Sequence, residues 1–185
     1  MNEAMLKGYP GHYKYKYYEP EGIPHGGSGG DNKKMNTPVQ HDGEYVLTSS
    51  GSKDFGEITP EISKLIGRQA GKIRLETGYH NDSTGEGFGE IHMKREARIK
   101  QLKQNGFNTV RDFVETVSAH FDSVYKGSGT SLILSMKNAK NRNIEYVELR
   151  PSEDGDFWSV LSGLVAHEGY LKNKTLLWSK SNNSV

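Results

Sequence analysis

Cysteine is absent from the chain, which excludes a disulfide framework and any thiolate-bound zinc. That absence suits a cytoplasmic site of action and equally a protein delivered from another cell. No apolar run approaches the ~18 residues that a membrane-spanning helix needs, so no membrane partner is expected, and the N-terminus lacks the basic-then-apolar order of a signal peptide. Apolar residues are sparse: 33% of the 185 residues are hydrophobic and the mean hydropathy is -0.76. That is lean for one core of this size, so part of the chain is expected to lie outside it.

Several enzymatic signatures are missing as well. His167-Glu168 lacks the second histidine of a zinc-protease helix, since Leu171 stands there, and no His/Asp/Glu set has metal-ligand spacing. Neither a metal nor a cofactor is expected. Gly85-Glu86-Gly87-Phe88-Gly89 lacks dinucleotide-loop spacing, and neither Gly-Lys-Ser/Thr nor Gly-x-Ser-x-Gly occurs. Histidine, arginine, hydroxyl and aromatic residues remain to carry any chemistry.

The net charge of +1 divides unevenly, with -2 over residues 1–57 and +3 over residues 58–185. The mildly basic second segment weakly favours a nucleic-acid partner. Residues 1–57 alternate Tyr and Lys over 13–18 and then run Gly26-Gly27-Ser28-Gly29-Gly30, which reads as a flexible Tyr/Gly-rich arm or linker. Its readings are a docking segment or a passive tether. Within residues 41–57 the only apolar knot is Tyr45-Val46-Leu47.

Order is expected from Thr59, which can cap a helix with Pro60 at its first position and Ile62, Leu65 and Ile66 on one face. Gly67 to Gly71 closes it, Lys72-Ile73-Arg74-Leu75 reads as a strand, and residues 78–87 read as a loop. A helix over 90–104 ends at Asn105-Gly106. The next starts at Thr109, with Asp112 three residues on and a stripe of Val110, Phe113, Val114, Val117, Phe121 and Val124. His120 lies off that stripe, in solvent. Period-two segments at 131–136, 144–149, 157–162 and 174–178 read as four strands. The expected fold is therefore α+β, with N-terminal helices packed on a four-stranded antiparallel β-meander and preceded by the arm.

The stretch 85–102 is the focus. Three alternating glycines lead into a polar helix, a junction that offers backbone N–H groups and a positive helix end to an anion. On a continuous helix His92, Arg95, Ile99 and Leu102 share a stripe about 80° wide, with Lys94 and Arg98 pointing elsewhere. Histidine and arginine at a core rim suit acid/base chemistry beside a phosphate. The plainer alternative is a turn followed by a boundary histidine.

Five motifs in register, Gly71-Lys72-Ile73-Arg74-Leu75, Gly87-Phe88-Gly89-Glu90-Ile91-His92-Met93, Gly106-Phe107, Phe157-Trp158-Ser159-Val160-Leu161-Ser162 and Leu171 to Trp178, resemble the phage-associated barnase/EndoU/colicin/RelE-like nuclease domains. The resemblance covers about residues 58–180. It implies a small α+β ribonuclease-like domain of phage head-associated proteins and bacterial toxins, with His92, Arg74 and Ser162 at family positions. One departure is clear: Glu96-Ala97 stands where the pattern continues to a basic residue and a second histidine.

Together these features lead to an expected function: a metal-independent endoribonuclease acting on RNA, plausibly tRNA, by attack of the 2′-hydroxyl to leave a 2′,3′-cyclic phosphate. His92 serves as acid or base, Arg95 and Arg74 clamp phosphate, and Ser162 donates to a non-bridging oxygen. Trp158, Trp178 or Tyr146 can stack on a base, and Lys172 and Lys174 can contact phosphate. Each has a structural alternative: a surface ion pair of Arg74 with Glu76 or Glu90, an ordinary strand serine, a core tryptophan, a solvated lysine pair. The role is a toxin or phage-associated effector, with an immunity protein or phage structural protein as partner. A catalytically silent binding module or virion component is the main alternative, and an NAD-dependent transferase a more distant one, disfavoured by the lack of a catalytic Glu motif.

Overall fold

The first helix opens as its residues require. Thr59 accepts a hydrogen bond from Ile62 N at 3.3 Å, Pro60 occupies the first turn, and Gly67 closes α1 (Pro60–Ile66) at φ 66. Ile62 and Ile66 are buried, whereas Leu65 is 58% exposed. The computed structural model describes residues 45–183. The Tyr/Lys and Gly/Ser features expected of the arm lie outside the described residues. Residues 45–57 lie inside them: Tyr45 bridges Glu76, Phe55 is buried, and Gly56–Ile58 forms strand β1.

After β2 (Gly71–Arg74) come a two-stranded hairpin, β3 (Tyr79–His80) and β4 (Gly87–Phe88), and then α2 (Gly89–Met93), α3 (Glu96–Gln104) and α4 (Val110–His120). The single helix expected over 90–104 is thus two. Arg95 is extended at φ -58, ψ 141, and its carbonyl accepts from Arg98 N and Ile99 N to start α3. His92 and Arg95 therefore do not share one continuous helical stripe. Thr109 caps α4 by accepting from Asp112 N at 3.0 Å, and the buried face Val110, Phe113, Val114 and Val117 follows the expected periodicity. The helix stops at His120, and Val124 belongs to a strand instead.

Strands β5 (Ser123–Lys126), β6 (Leu132–Asn138), β7 (Asn141–Arg150) and β8 (Phe157–His167) run as an antiparallel meander; a 3₁₀ turn (Glu168–Leu171), β9 (Leu176–Ser179) and a second 3₁₀ turn (Lys180–Asn183) follow. The sheet has seven strands in the order β1-β2-β8-β7-β6-β5-β9, and it is mixed because β2 pairs parallel to β8. This corrects the expected fold in its sheet and its layering while leaving it α+β. The last strand does not follow β8 but crosses to the opposite edge beside β5, and β1 and β2, on either side of α1 in the chain, add two strands beyond β8. Short strands of three or four residues carry too little periodicity to declare such distant partners.

One extra residue in β8 decides which side chains meet. Tyr146 lies opposite Ser162 but Val147 opposite Val160, so Leu161 is an inserted bulge residue. Before it, Trp158 and Val160 face the main core with Val147 and Leu149; beyond it, Val165 does so, and a side chain on Gly163 would meet Phe113 and Met93. The other face carries Leu164 and Ala166 with Ile133, Ile144 and Tyr146. Regular alternation would put Trp158 and Ser162 on one face. The bulge sends Ser162 to the opposite one, beside Tyr146.

The main core also holds a carboxyl. Glu145 is wholly buried and accepts from Ser118 Oγ at 2.9 Å on one oxygen only. Burial raises its pKa well above 4.5, with the Ser118 bond pulling the other way. A carboxyl whose folded pKa is raised contributes full stability below its unfolded pKa and loses it as pH rises through the folded value. Glu145→Gln is therefore expected to match the native stability at pH 4 and exceed it at pH 8, read as the urea midpoint at each pH.

Candidate active site

Two of the alternating glycines, Gly87 and Gly89, serve close packing. A Cβ on Gly87 would stand 2.3 Å from Tyr79 O and 2.7 Å from His92 Nδ1, and one on Gly89, at φ 76, would stand 2.5 Å from Glu76 O. On Gly78 it would overlap the carbonyl of Phe88. The N–H groups of Glu90 and Ile91 are also taken, by the carbonyls of Glu76 and Thr77 at 2.9 Å each. The expected anion site at this helix start is thus filled by backbone. What Gly87 permits is the close approach of the His92 ring to the hairpin.

There it meets a second histidine. His80 Nδ1 and His92 Nδ1 are 3.0 Å apart, with ring centroids at 5.0 Å, and His80 Nε2 lies 3.5 Å from Asp82 Oδ1. A contact between two imidazole nitrogens has room for one proton. The tautomers that serve Asp82 are His80 donating through Nε2–H and accepting at Nδ1 from His92 Nδ1–H. That assignment leaves the lone pair of His92 on Nε2.

Cations and phenols complete the cluster. Arg95 Nε donates to the His92 carbonyl at 2.7 Å. Arg98 Nη1 donates to Gln101 Oε1 at 2.5 Å, and the same oxygen accepts from Val165 N at 3.1 Å, which ties α3 to β8. Tyr146 and Tyr170 share a hydroxyl contact of 2.9 Å within electrostatic reach of Arg98. Ser162, half-buried, stands across from Tyr146. Beneath the hairpin Arg150 lies 4.3 Å from the Phe88 ring and pairs with Glu76 and Glu148 at 3.3 Å each, while Ser159 Oγ donates to Glu76 at 2.6 Å.

No family model, curated protein or solved structure matches the chain.

Of the residues singled out in the sequence, His92, Arg95, Ser162 and Tyr146 lie in this cluster, and Arg74, Trp158, Trp178, Lys172 and Lys174 do not. Arg74 is buried, donating to Asp54 at 2.7 Å and to both oxygens of Asp154 at 3.0 Å, with its guanidinium 5.3 Å from the Tyr45 and Phe157 rings. It forms a buried ion pair with Asp54 and Asp154 in place of Glu76 or Glu90, and each of its three nitrogens donates to a carboxylate. Trp158 is a core residue whose Nε1 donates to Gln69 O at 3.1 Å. Trp178, half-buried, packs edge-on to Phe121 and joins the main core. Lys172 and Lys174 are exposed in the turn before β9. Sequence reasoning passed over His80, Arg98 and Tyr170. Tyr79-His80 and Gly87-Phe88, each bounded by glycine or Asn-Asp, were the available sign of a hairpin inside the supposed loop.

Burial first, and then the charges of Arg95, His80 and Arg98, lower the His92 pKa to about 4. His92 is thus neutral at pH 7 and available as a base. Its folded pKa lies below its unfolded value near 6.5, so protons bind the unfolded chain first and stability falls as pH drops from 6.5 towards 4. The loss is at most about 3 kcal/mol from this group. Denaturant unfolding at pH 7 and pH 4.5 should show it, and His92→Asn should remove most of the difference.

Proposed function

We propose that the chain is an endoribonuclease that cleaves RNA by intramolecular attack of the 2′-hydroxyl on the adjacent phosphorus. The observation that carries this reading is the His80–His92 pair, 3.0 Å between ring nitrogens, set beside Arg95 and Arg98. His92 Nε2 takes the 2′-hydroxyl proton, with Asp82 and His80 holding the ring in the tautomer that leaves this atom free. The P–O2′ bond forms as the P–O5′ bond breaks, and Arg95 and Arg98 face the charge that grows on the non-bridging oxygens. The departing 5′-oxygen takes its proton from the Tyr146–Tyr170 hydroxyl pair. Burial, and then the Tyr170 hydrogen bond, raise the Tyr146 pKa beyond the ordinary phenol range, so that hydroxyl stays protonated at physiological pH.

The second imidazole comes from His80 on the hairpin, so alanine at position 97 does not deprive the site of one. The nucleophile is the substrate's own hydroxyl and the proton carriers are side chains, so the chemistry is metal-independent. A role as a toxin or phage-associated effector, acting in the cytoplasm of a target cell with an immunity protein as its antagonist, rests on the motif resemblance and on no feature of the site.

Purified full-length protein, incubated with total RNA and a matched DNA oligonucleotide in EDTA, should cut only the RNA and leave 2′,3′-cyclic phosphate ends. His80→Ala and His92→Ala should each slow cleavage by about 10²-fold or more, and the double variant should be little worse, because the two rings act as one unit. The rate should rise with pH through about 4, where His92 loses its proton, to a plateau by neutrality. Intact RNA under these conditions would overturn the proposal.

A further inference from the structure

Strand β7 sends alternate side chains to opposite faces, so Asn143 and Glu145 point to the same side as Val147 and Leu149, into the main core. Both are fully buried. Their neighbours across the sheet are Met136 and Leu134 on β6 and Val165 and Gly163 on β8. Met136, Leu134 and Val165 belong to the apolar core and Gly163 has no side chain, so none of the four brings a strong hydrogen-bonding group to this face.

In that setting three polar atoms have no protein partner: Asn143 Oδ1, Asn143 Nδ2 and Glu145 Oε1. The second carboxyl oxygen of Glu145 is already engaged, accepting from Ser118 Oγ on α4 at 2.9 Å. Amide and carboxyl groups removed from water forfeit its hydrogen bonds, and in folded chains such groups are paired by protein or by ordered water. Asn143 and Glu145 are not paired with each other. They rise side by side from positions about 7 Å apart along the strand, an interval that one hydrogen bond of about 3 Å does not close and two in series do.

The three atoms select what fits between them. A carboxamide carries its C=O and one N–H side by side, so a small molecule that both donates and accepts can bond to both at once. Water does this and keeps a further proton and lone pair for Glu145, and a buried water typically makes about three such bonds. A cation would leave the Nδ2–H groups of Asn143 unpaired, and an anion would face the oxygens of both side chains. Burial also holds Glu145 towards its neutral form, which suits a neutral ligand.

We propose that Asn143 and Glu145 hold one internal water molecule, bonded to Asn143 Oδ1, Asn143 Nδ2 and Glu145 Oε1. It extends the Ser118–Glu145 contact into a chain of hydrogen bonds that runs from α4 through the core to Asn143. This site is separate from the histidine cluster and does not depend on the ribonuclease reading.

The test is nuclear magnetic resonance on full-length, ¹⁵N-labelled protein in mildly acidic buffer, with selective excitation of water. The side-chain amide protons of Asn143 are expected to show a cross-peak to water with the sign of a long-lived contact. A hydroxyl or carboxyl proton in exchange with solvent could relay such a signal, so it is measured again in Ser118→Ala and in Glu145→Gln, each of which removes one of those protons. The cross-peak should persist in both. In Glu145→Leu, which removes the third partner and fills the interval with methyl groups, it should be lost. No cross-peak in the native protein, its loss in Ser118→Ala or Glu145→Gln, or its retention at full strength in Glu145→Leu would each overturn the proposal.

Discussion

Strand β8 bears the constraint on which the remaining structure depends. It pairs along its length with β7 and accepts β2 in parallel, so a change of register would move every residue on both faces. The inserted Leu161 splits that strand into two halves of opposite parity. Its first half packs Trp158 and Val160 into the core, and its second packs Val165 there while turning Ser162 towards Tyr146. Gly163 then leaves the space that Met93 and Phe113 occupy, which seats α2 and so His92. A regular strand would have buried Ser162 beside the tryptophan.

Around this strand the two ends of the helical segment are set by different forces. The hairpin of Tyr79–His80 and Gly87–Phe88 comes close enough to α2 only because three glycines remove clashes with backbone atoms. Arg150 beneath the Phe88 ring joins the hairpin to a buried carboxylate pair, so its position is set by charge as well as contact. On the far side Gln101 bridges Arg98 and the backbone of Val165. The histidines, arginines and tyrosines are therefore carried by five separate elements: β3, α2, α3 with its capping Arg95, β7 and the 3₁₀ turn. Preorganisation of that kind is what electrostatic stabilisation of a developing charge requires.

Local signals were legible in the sequence and distant ones were not. Thr59-Pro60 and Thr109 mark helix starts that the structure places as read, because capping involves neighbours within three residues. The meander from β6 to β8 follows from alternation and turn residues. Strand β9 was read in roughly the right place but paired with the wrong neighbour, and β1 and β5 escaped because three or four residues carry no decisive period. In the candidate site, His92 and Arg95 were singled out by their spacing, although the helix that suggested it is broken at Arg95. The partners of Arg74 were not legible because they lie 20 and 80 residues away, at Asp54 and Asp154. His80 lay hidden in a glycine-rich stretch whose tight packing looks, from composition alone, like a loop.

His80 and His92, 3.0 Å apart, form one proton-holding unit, with His92 neutral at physiological pH. The most direct measurement is a ¹⁵N nuclear magnetic resonance titration of the imidazole nitrogens in the native protein and in His80→Gln. The account predicts that His92 stays neutral down to about pH 4 with its proton on Nδ1, and that replacing His80 changes both its tautomer and its titration. A His92 that titrates near the ordinary value of about 6.5 and is indifferent to the replacement of His80 would contradict it.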